Sequence, residues 1–207
     1  AALKQTGRVS ESLVPSQKAA TLSPQDAEAH YNLGNTFKEL GRLDEAEASY
    51  KKAIALNPDY ATARYNLALT LKELGVLDEA EVNLRQAIAL KPDYAEAHNN
   101  LGITLTELGR LDEAETSYRQ AIALKPDYAE ANYNLGNTLK ELGKLKEAEA
   151  SYRQAIVLKP DLTDAHYNLG ITLHELGRLD EAEASYTQAI ALKPDYAEAH
   201  NNLGATL

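Results

Sequence analysis

Asn32, Asn66, Asn100, Asn134, Asn168 and Asn202 stand 34 residues apart, and each is followed by Leu. Asn is a mediocre helix former because its amide competes for nearby backbone groups, so six placements in register call for a reason. A carboxamide both donates and accepts. A row of them can bond the N–H and C=O groups of a polypeptide of any sequence. Tyr31, Tyr65, Tyr133 and Tyr167 stand beside the row, with Asn99 and Asn201 at the equivalent places. Asn35, Lys38, Lys72 and Lys140 flank it, as do Glu28, Glu96, Glu130 and Glu198. The amides, tyrosines, Asn35 and the lysines form the candidate peptide-binding site, and the Glu residues favour a ligand with some basic character.

Other chemistries fit less well. His30, His98, His166 and His200 recur at 34 residues or a multiple of it. Stacked helices lie roughly 8–10 Å apart, too far for two such histidines to share a metal at about 2 Å each. They are expected to be packing residues on the core side, while His174 falls on the opposite face. Asp44, Glu45 and Glu47 recur at helix starts, where negative charge suits the macrodipole. Nothing resembles a nucleophile elbow, a phosphate loop or a zinc-binding helix. The residues therefore predict no enzyme, no metal site and no cofactor.

The prolines reveal what positions the row: Pro24, Pro58, Pro92, Pro126, Pro160 and Pro194 are also 34 residues apart. Self-similarity at this period marks a repeat architecture. Each unit reads as two helices. The first runs from about Ala27 to Leu40 and stops at Gly41, suited to a left-handed position just past a helix. The second runs from about Asp44 to Leu56 and stops before Pro58. Asp93 with Glu96, Asp127 with Glu130 and Asp195 with Glu198 resemble capping boxes.

At about 100° per residue, Ala29, His30, Leu33, Gly34, Thr36, Phe37 and Leu40 share one side of the first helix. Glu28, Tyr31, Asn32, Asn35, Lys38 and Glu39 share the other. In the second helix Leu43, Ala46, Tyr50, Ala53 and Ile54 make the apolar stripe. Two helices cannot enclose a core alone, so neighbouring units must stack.

The 207 residues carry a net charge of −10 with no basic run, which argues against nucleic acid as a partner. There are no cysteines, so disulfides and thiolate metal sites are excluded. No apolar stretch approaches the roughly 18 residues of a membrane span, so no membrane partner is expected. No secretory signal is visible and the first residue is Ala, so the sequence reads as an excised, cytoplasmic fragment.

His30-x-x-Leu33-Gly34-x-x-Phe37, followed by Ala46-x-x-x-Tyr50, Ala53 and Pro58, resembles the tetratricopeptide repeat (TPR). Five full units match in register: 27–60, 61–94, 95–128, 129–162 and 163–196. The resemblance departs where the family's usual first-helix Trp is His30, Arg64, His98, Asn132, His166 or His200, and where Gly becomes Ala68. It implies an all-α, right-handed α-solenoid of stacked antiparallel helix pairs, with first helices lining a concave surface that holds peptides. The asparagine row is similar to that of the protein O-GlcNAc transferases, whose repeats precede a catalytic region. Some TPR domains grip chaperone C-termini with cations on successive first helices. Here the corresponding places hold Tyr31, Asn35, Asn66, Glu96 and Asn100, so chaperone tails are not expected ligands.

The ends differ from the five units. Residues 1–24 align with the tail of a degenerate repeat, and Pro15 predicts a shortened or kinked helix there. Residues 197–207 supply a first helix alone. Three functions follow: a scaffold binding an extended polypeptide through the asparagine ladder, the recognition arm of a larger enzyme such as an O-GlcNAc transferase, and a rod self-assembling head to tail through its ends. The ladder would track on the order of 15 residues, at one amide per roughly 8–10 Å helix spacing and about 3.3 Å per extended residue. Its amides are expected to lie outside the core and to contribute little to stability.

Overall fold

The computed structural model describes residues 2–207, with side chains from Ser12 onward. The described residues form twelve α-helices and no strand: α1 (Ala2–Leu22), α2 (Ala27–Glu39), α3 (Leu43–Leu56), α4 (Ala61–Glu73), α5 (Leu77–Leu90), α6 (Ala95–Glu107), α7 (Leu111–Leu124), α8 (Ala129–Glu141), α9 (Leu145–Leu158), α10 (Thr163–Glu175), α11 (Leu179–Leu192) and α12 (Ala197–Thr206). The chain divides into two compact units, one reaching Thr104 and the other spanning Leu105–Leu207. In the first unit, α1 packs on α2, α2 on α3, α3 on α4 and α4 on α5. In the second, contacts run in the same serial way from α7 to α12. First helices also meet directly, α2 with α4, α8 with α10 and α10 with α12.

The first helices α2, α4, α6, α8 and α10 end the same way. Leu40 caps α2 and Gly41 follows at φ +71°, a left-handed conformation that costs glycine nothing. The Gly41 N–H bonds the Lys38 carbonyl at 2.9 Å and the Arg42 N–H bonds the Phe37 carbonyl at 2.9 Å. This pair of bonds is the Schellman arrangement. Gly75, Gly109, Gly143 and Gly177 repeat it.

Helix starts depart from expectation. Tyr128 and Tyr196, not Asp127 and Asp195, are the N-caps of α8 and α12, and no side chain bonds the free N–H groups there. A capping box needs its acceptor at the cap itself. Asp127 sits one residue early and uses its backbone carbonyl instead, accepting from the Ala129 N–H at 3.0 Å. Asp26 is the exception, an N-cap whose carboxylate accepts from the Glu28 N–H at 2.9 Å.

The N-terminal expectation also needs correcting. Helix α1 is not shortened: it runs from Ala2 to Leu22 with Pro15 inside it. Proline removes one donor and crowds the preceding turn. Pro15 is exposed, and the helix continues past it.

The cores are built from small residues and one large ring per pair. Ala46, Tyr50 and Ala53 are fully buried in α3, as are Ala148, Tyr152 and Ala155 in α9. Gly34, Gly136 and Gly170 exist for these rings: a Cβ on each would lie 2.6 Å from Cε1 of Tyr50, Tyr152 and Tyr186 respectively. The repeat that carries Ala68 has Leu84 in place of the tyrosine, and both are buried. The departure from glycine is therefore matched by a smaller partner.

Candidate functional site

The asparagine row lies on the first helices, opposite their buried side, and its amides are not idle. Asn66 Nδ2 donates to the Tyr31 hydroxyl at 3.0 Å and to Asn35 Oδ1 at 3.1 Å, both in the preceding repeat. Asn100 Nδ2 donates to Tyr65 at 3.0 Å and to the Glu96 carbonyl at 2.9 Å. Asn168 Nδ2 donates to Tyr133 at 3.2 Å and to Asn137 Oδ1 at 3.1 Å, and Asn202 Nδ2 donates to Tyr167 at 3.2 Å. Four such Asn–Tyr pairs thus tie consecutive first helices together. Asn32, which bonds no such tyrosine, is exposed.

The tie fixes the amide plane and leaves the other end of the group open. Among the described residues the Oδ1 atoms of Asn66, Asn100 and Asn168 accept no hydrogen bond, while the Asn202 side chain is also bonded to the Tyr186 phenol. These four side chains are half-buried. The backbone carbonyl beneath each is taken by the threonine four residues on, as in Thr70 to Asn66 at 2.9 Å and Thr172 to Asn168 at 2.8 Å.

Asn35 joins the network rather than flanking it. Its Oδ1 accepts both from Asn66 and from the buried Tyr50 hydroxyl at 2.8 Å. Asn137, absent from the sequence-based site, does the same for Asn168 and for Tyr152 at 2.8 Å. Its position 102 residues after Asn35, three periods of 34, was the signal that could have found it. Burial raises the pKa of the Tyr50 and Tyr152 phenols and pushes Tyr118 and Tyr186 up to about 12, so all four stay neutral donors at pH 7.

The first-helix tyrosines meet the next inter-repeat turn. Tyr31 packs on Tyr60, Tyr65 on Tyr94 and Tyr167 on Tyr196, with ring centroids 5.0, 4.8 and 4.8 Å apart. The turn after Tyr133 carries Leu162, and Tyr133 packs on Tyr152 at 6.1 Å, as Tyr31 and Tyr167 also pack on Tyr50 and Tyr186. Asn99, expected beside the row on the surface, is 1% exposed and belongs to the interior. Of the lysines, Lys38 is engaged by Glu73 of the next repeat at 3.3 Å, whereas Lys140 makes no ion pair.

The histidines are not simple packing residues. His30, His98, His166 and His200 each bond, through Nε2, the carbonyl of the proline six residues earlier, at 3.2, 3.2, 2.9 and 3.0 Å. A carbonyl only accepts, so Nε2 carries the proton. Arg64 serves the same turn through Nε and Nη2 on Pro58, and Asn132 through the Tyr128 carbonyl. The place of the family's Trp therefore holds a polar clamp on the turn. His200 is exposed and the other three are half-buried. Burial lowers the His98 pKa, partly offset by its bond to Pro92.

The opposite, second-helix face of the second unit is charge-paired. Glu115 binds Arg119 and Lys144 at 2.9 and 2.7 Å, and Arg119 also reaches Glu147 at 2.6 Å. Glu149 binds Arg153 and Arg178 at 2.9 and 2.6 Å, and both arginines reach Glu181. Among the described residues no group of three His, Asp or Glu side chains could hold a metal, and no helix is long and apolar enough to cross a membrane.

Comparison with known proteins agrees with this geometry. Residues 2–205 match the family model described as the cilia and flagella-associated protein 70 C-terminal domain, a TPR model. Among solved structures, YrrB, described as a TPR protein with an unusual peptide-binding site, has a TM-score of 0.79 at 26% identity, covering 93% of this chain and 98% of its own. MamA has a TM-score of 0.76 at 26% identity, covering 83% and 94%. A thermophilic TPR protein of Thermus thermophilus, TTC0263, has a TM-score of 0.63 at 28% identity, covering 87% and 98%. No curated protein sequence matches the chain significantly. Twelve helices among the described residues, five of them closed by a left-handed glycine, and a family match over nearly the whole length lead to one conclusion: the chain belongs to the TPR family of the cilia and flagella-associated protein 70 C-terminal domain.

Proposed function

We propose that this chain is a protein–protein interaction scaffold that holds an extended polypeptide against the face made by its first helices. The TPR-type fold supports the scaffold role, and a relative described by its peptide-binding site supports a peptide as the ligand. One observation carries the reading furthest. Asn66, Asn100 and Asn168 each hold an amide oxygen open while the nitrogen of the same group is anchored. An acceptor fixed in advance loses little rotamer freedom when a ligand N–H arrives, and preorganisation of this kind favours binding. The ladder is thus a row of oriented acceptors. Backbone N–H groups satisfy it without a sequence preference, and the neighbouring Glu130 and Glu198 favour ligands with some basic character.

The test is a pool of end-blocked, random-sequence peptides about 15 residues long, a length set by roughly 3.3 Å per extended residue. Panning on the immobilised chain is expected to yield peptides with saturable binding. Replacing Asn100 with Ala should weaken them about threefold to tenfold, the effect of one neutral hydrogen bond. Failure to select any peptide would refute the reading.

A further inference from the structure

Between α10 and α12 of the second unit lies a recess of about 200 Å³, lined by Ile171, His174, Glu175, Tyr186, Asn202 and Ala205. Its counterpart between α8 and α10 is occupied by Asn137, which bonds Asn168 and Tyr152. At the same place in the next two first helices stand Ile171 and Ala205. The first offers an apolar wall, and the second is too small to fill the space.

The polar groups lining this recess are His174, the Glu175 carboxylate, the Asn202 amide and the Tyr186 phenol. Asn202 has committed its Nδ2 to Tyr167, and its side chain is also bonded to the Tyr186 phenol. Glu175 is exposed and makes no ion pair among the described residues, and the same holds for Glu130, Glu141 and Glu198 on the same stripe of the first helices. On the second helices of this unit Glu115, Glu147, Glu149 and Glu181 each have a cation. Lys140 and the Asn137 Nδ2 are donors that remain on the first-helix side. His174 at the rim is exposed. The charge on that side is therefore left for a partner to satisfy.

We infer that the recess between α10 and α12 is a subsite for a lysine or arginine side chain of the bound polypeptide. The aliphatic stem lies against Ile171 and Ala205, and the charged head meets the Glu175 carboxylate. Long cationic side chains divide in this way, stem on apolar surface and head on acceptors. Charge-assisted hydrogen bonds are stronger than neutral ones, so this subsite adds selectivity that a backbone ladder lacks. The inference rests on the proposed peptide-binding role and names its ligand chemistry.

The probes are two end-blocked 15-residue peptides, five repeats of Ser-Ala-Arg and the same sequence with citrulline, which keeps the shape and loses the charge. Titration of the whole chain at 0.15 M salt is expected to show the arginine peptide binding at least about tenfold tighter, in line with charge-assisted over neutral bonds. Ala205→Ile fills the recess with the residue that Ile103 and Ile171 already place there in neighbouring repeats. It should weaken the arginine peptide about fivefold and leave the thermal midpoint unchanged. Glu175→Gln should do likewise, whereas Glu183→Gln, an equal charge change on the second-helix side, should not. Equal losses for Glu175→Gln and Glu183→Gln, or no loss for Ala205→Ile, would overturn the subsite. If neutral peptides from the random pool bind and arginine adds nothing, the subsite falls and the scaffold reading stands. If neither pool nor probes bind, both fall.

Discussion

The Asn66 amide nitrogen donates to the Tyr31 hydroxyl across 3.0 Å, joining residues 35 positions apart in consecutive repeats. The same residue pair recurs with Asn100 and Tyr65, Asn168 and Tyr133, and Asn202 and Tyr167. An amide that looks surplus within one repeat is a fastening between two. The expectation that these amides are free of structural duty therefore needs correcting. Each fastens, and those of Asn66, Asn100 and Asn168 also present.

Replacing Asn66 with Ala removes bonds to Tyr31 and Asn35 and leaves the Tyr50–Asn35 pair with one partner fewer. Two hydrogen bonds at about 0.5–1.5 kcal/mol each give an expected loss of about 1–3 kcal/mol, seen as a thermal midpoint lowered by several degrees. Asn32→Ala, at the exposed start of the row, should leave the midpoint unchanged. Equal melting of the two variants would remove the fastening role.

Gly136→Ala puts a methyl group 2.6 Å from the Tyr152 ring. Overpacking of this kind costs about 1–3 kcal/mol, and urea unfolding should show it. Tyr152→Leu added to the same chain should recover part of the loss, because Ala68 and Leu84 already coexist in another repeat. An additive double variant would contradict this account of the glycines.

How much of this was legible in the sequence follows from the range of each interaction. The repeat period, the helix pairs, the left-handed Gly41 and the buried Tyr50 all come from local chemistry and spacing. Asp127 was misassigned as a cap because cap positions shift by one residue without changing any pattern. Pro15 signals a break locally, and the expected shortening is absent because α1 runs through it to Leu22. The Asn66–Tyr31 bond crosses between repeats and becomes visible only once helices are laid side by side. Asn99 reads as a surface residue by periodicity and is interior in the fold. Glu175 was passed over because its lack of a cation is a fact about neighbours, not about sequence.

His98 makes stability depend on pH. Its folded pKa lies below the usual 6.5 because burial disfavours the imidazolium. The unfolded chain then binds more protons than the folded one as pH falls through 6.5 toward the folded value. Stability is full above that window and declines as pH falls through it. His98→Asn, a residue that Asn132 already uses at the equivalent place, should flatten the thermal midpoint between pH 7 and 5.5. An unchanged slope would assign the dependence elsewhere.

Glu149 ties neighbouring second helices through Arg153 and Arg178. Burial raises its pKa, but hydrogen bonds from Arg153 and Arg178 outweigh this and hold it below the usual carboxylate value. The stabilisation is present above the unfolded pKa near 4.5 and is lost as pH falls through the folded value. Glu149→Gln should lower the urea midpoint at pH 7, with a smaller difference from the parent at pH 3. A difference that grows on acidification would contradict the pairing.

The account stands on the open amide oxygens of the row. Carbon-13 spectra of the Asn side-chain carbonyls, recorded while a peptide selected from the random pool is added, read those oxygens directly. Accepting a hydrogen bond moves the carbonyl carbon downfield. Asn66, Asn100 and Asn168 are predicted to shift together and saturably, while Asn83, on a second helix with its amide on the Glu79 carbonyl, stays still. Saturable binding with the three row carbonyls unmoved would contradict the account.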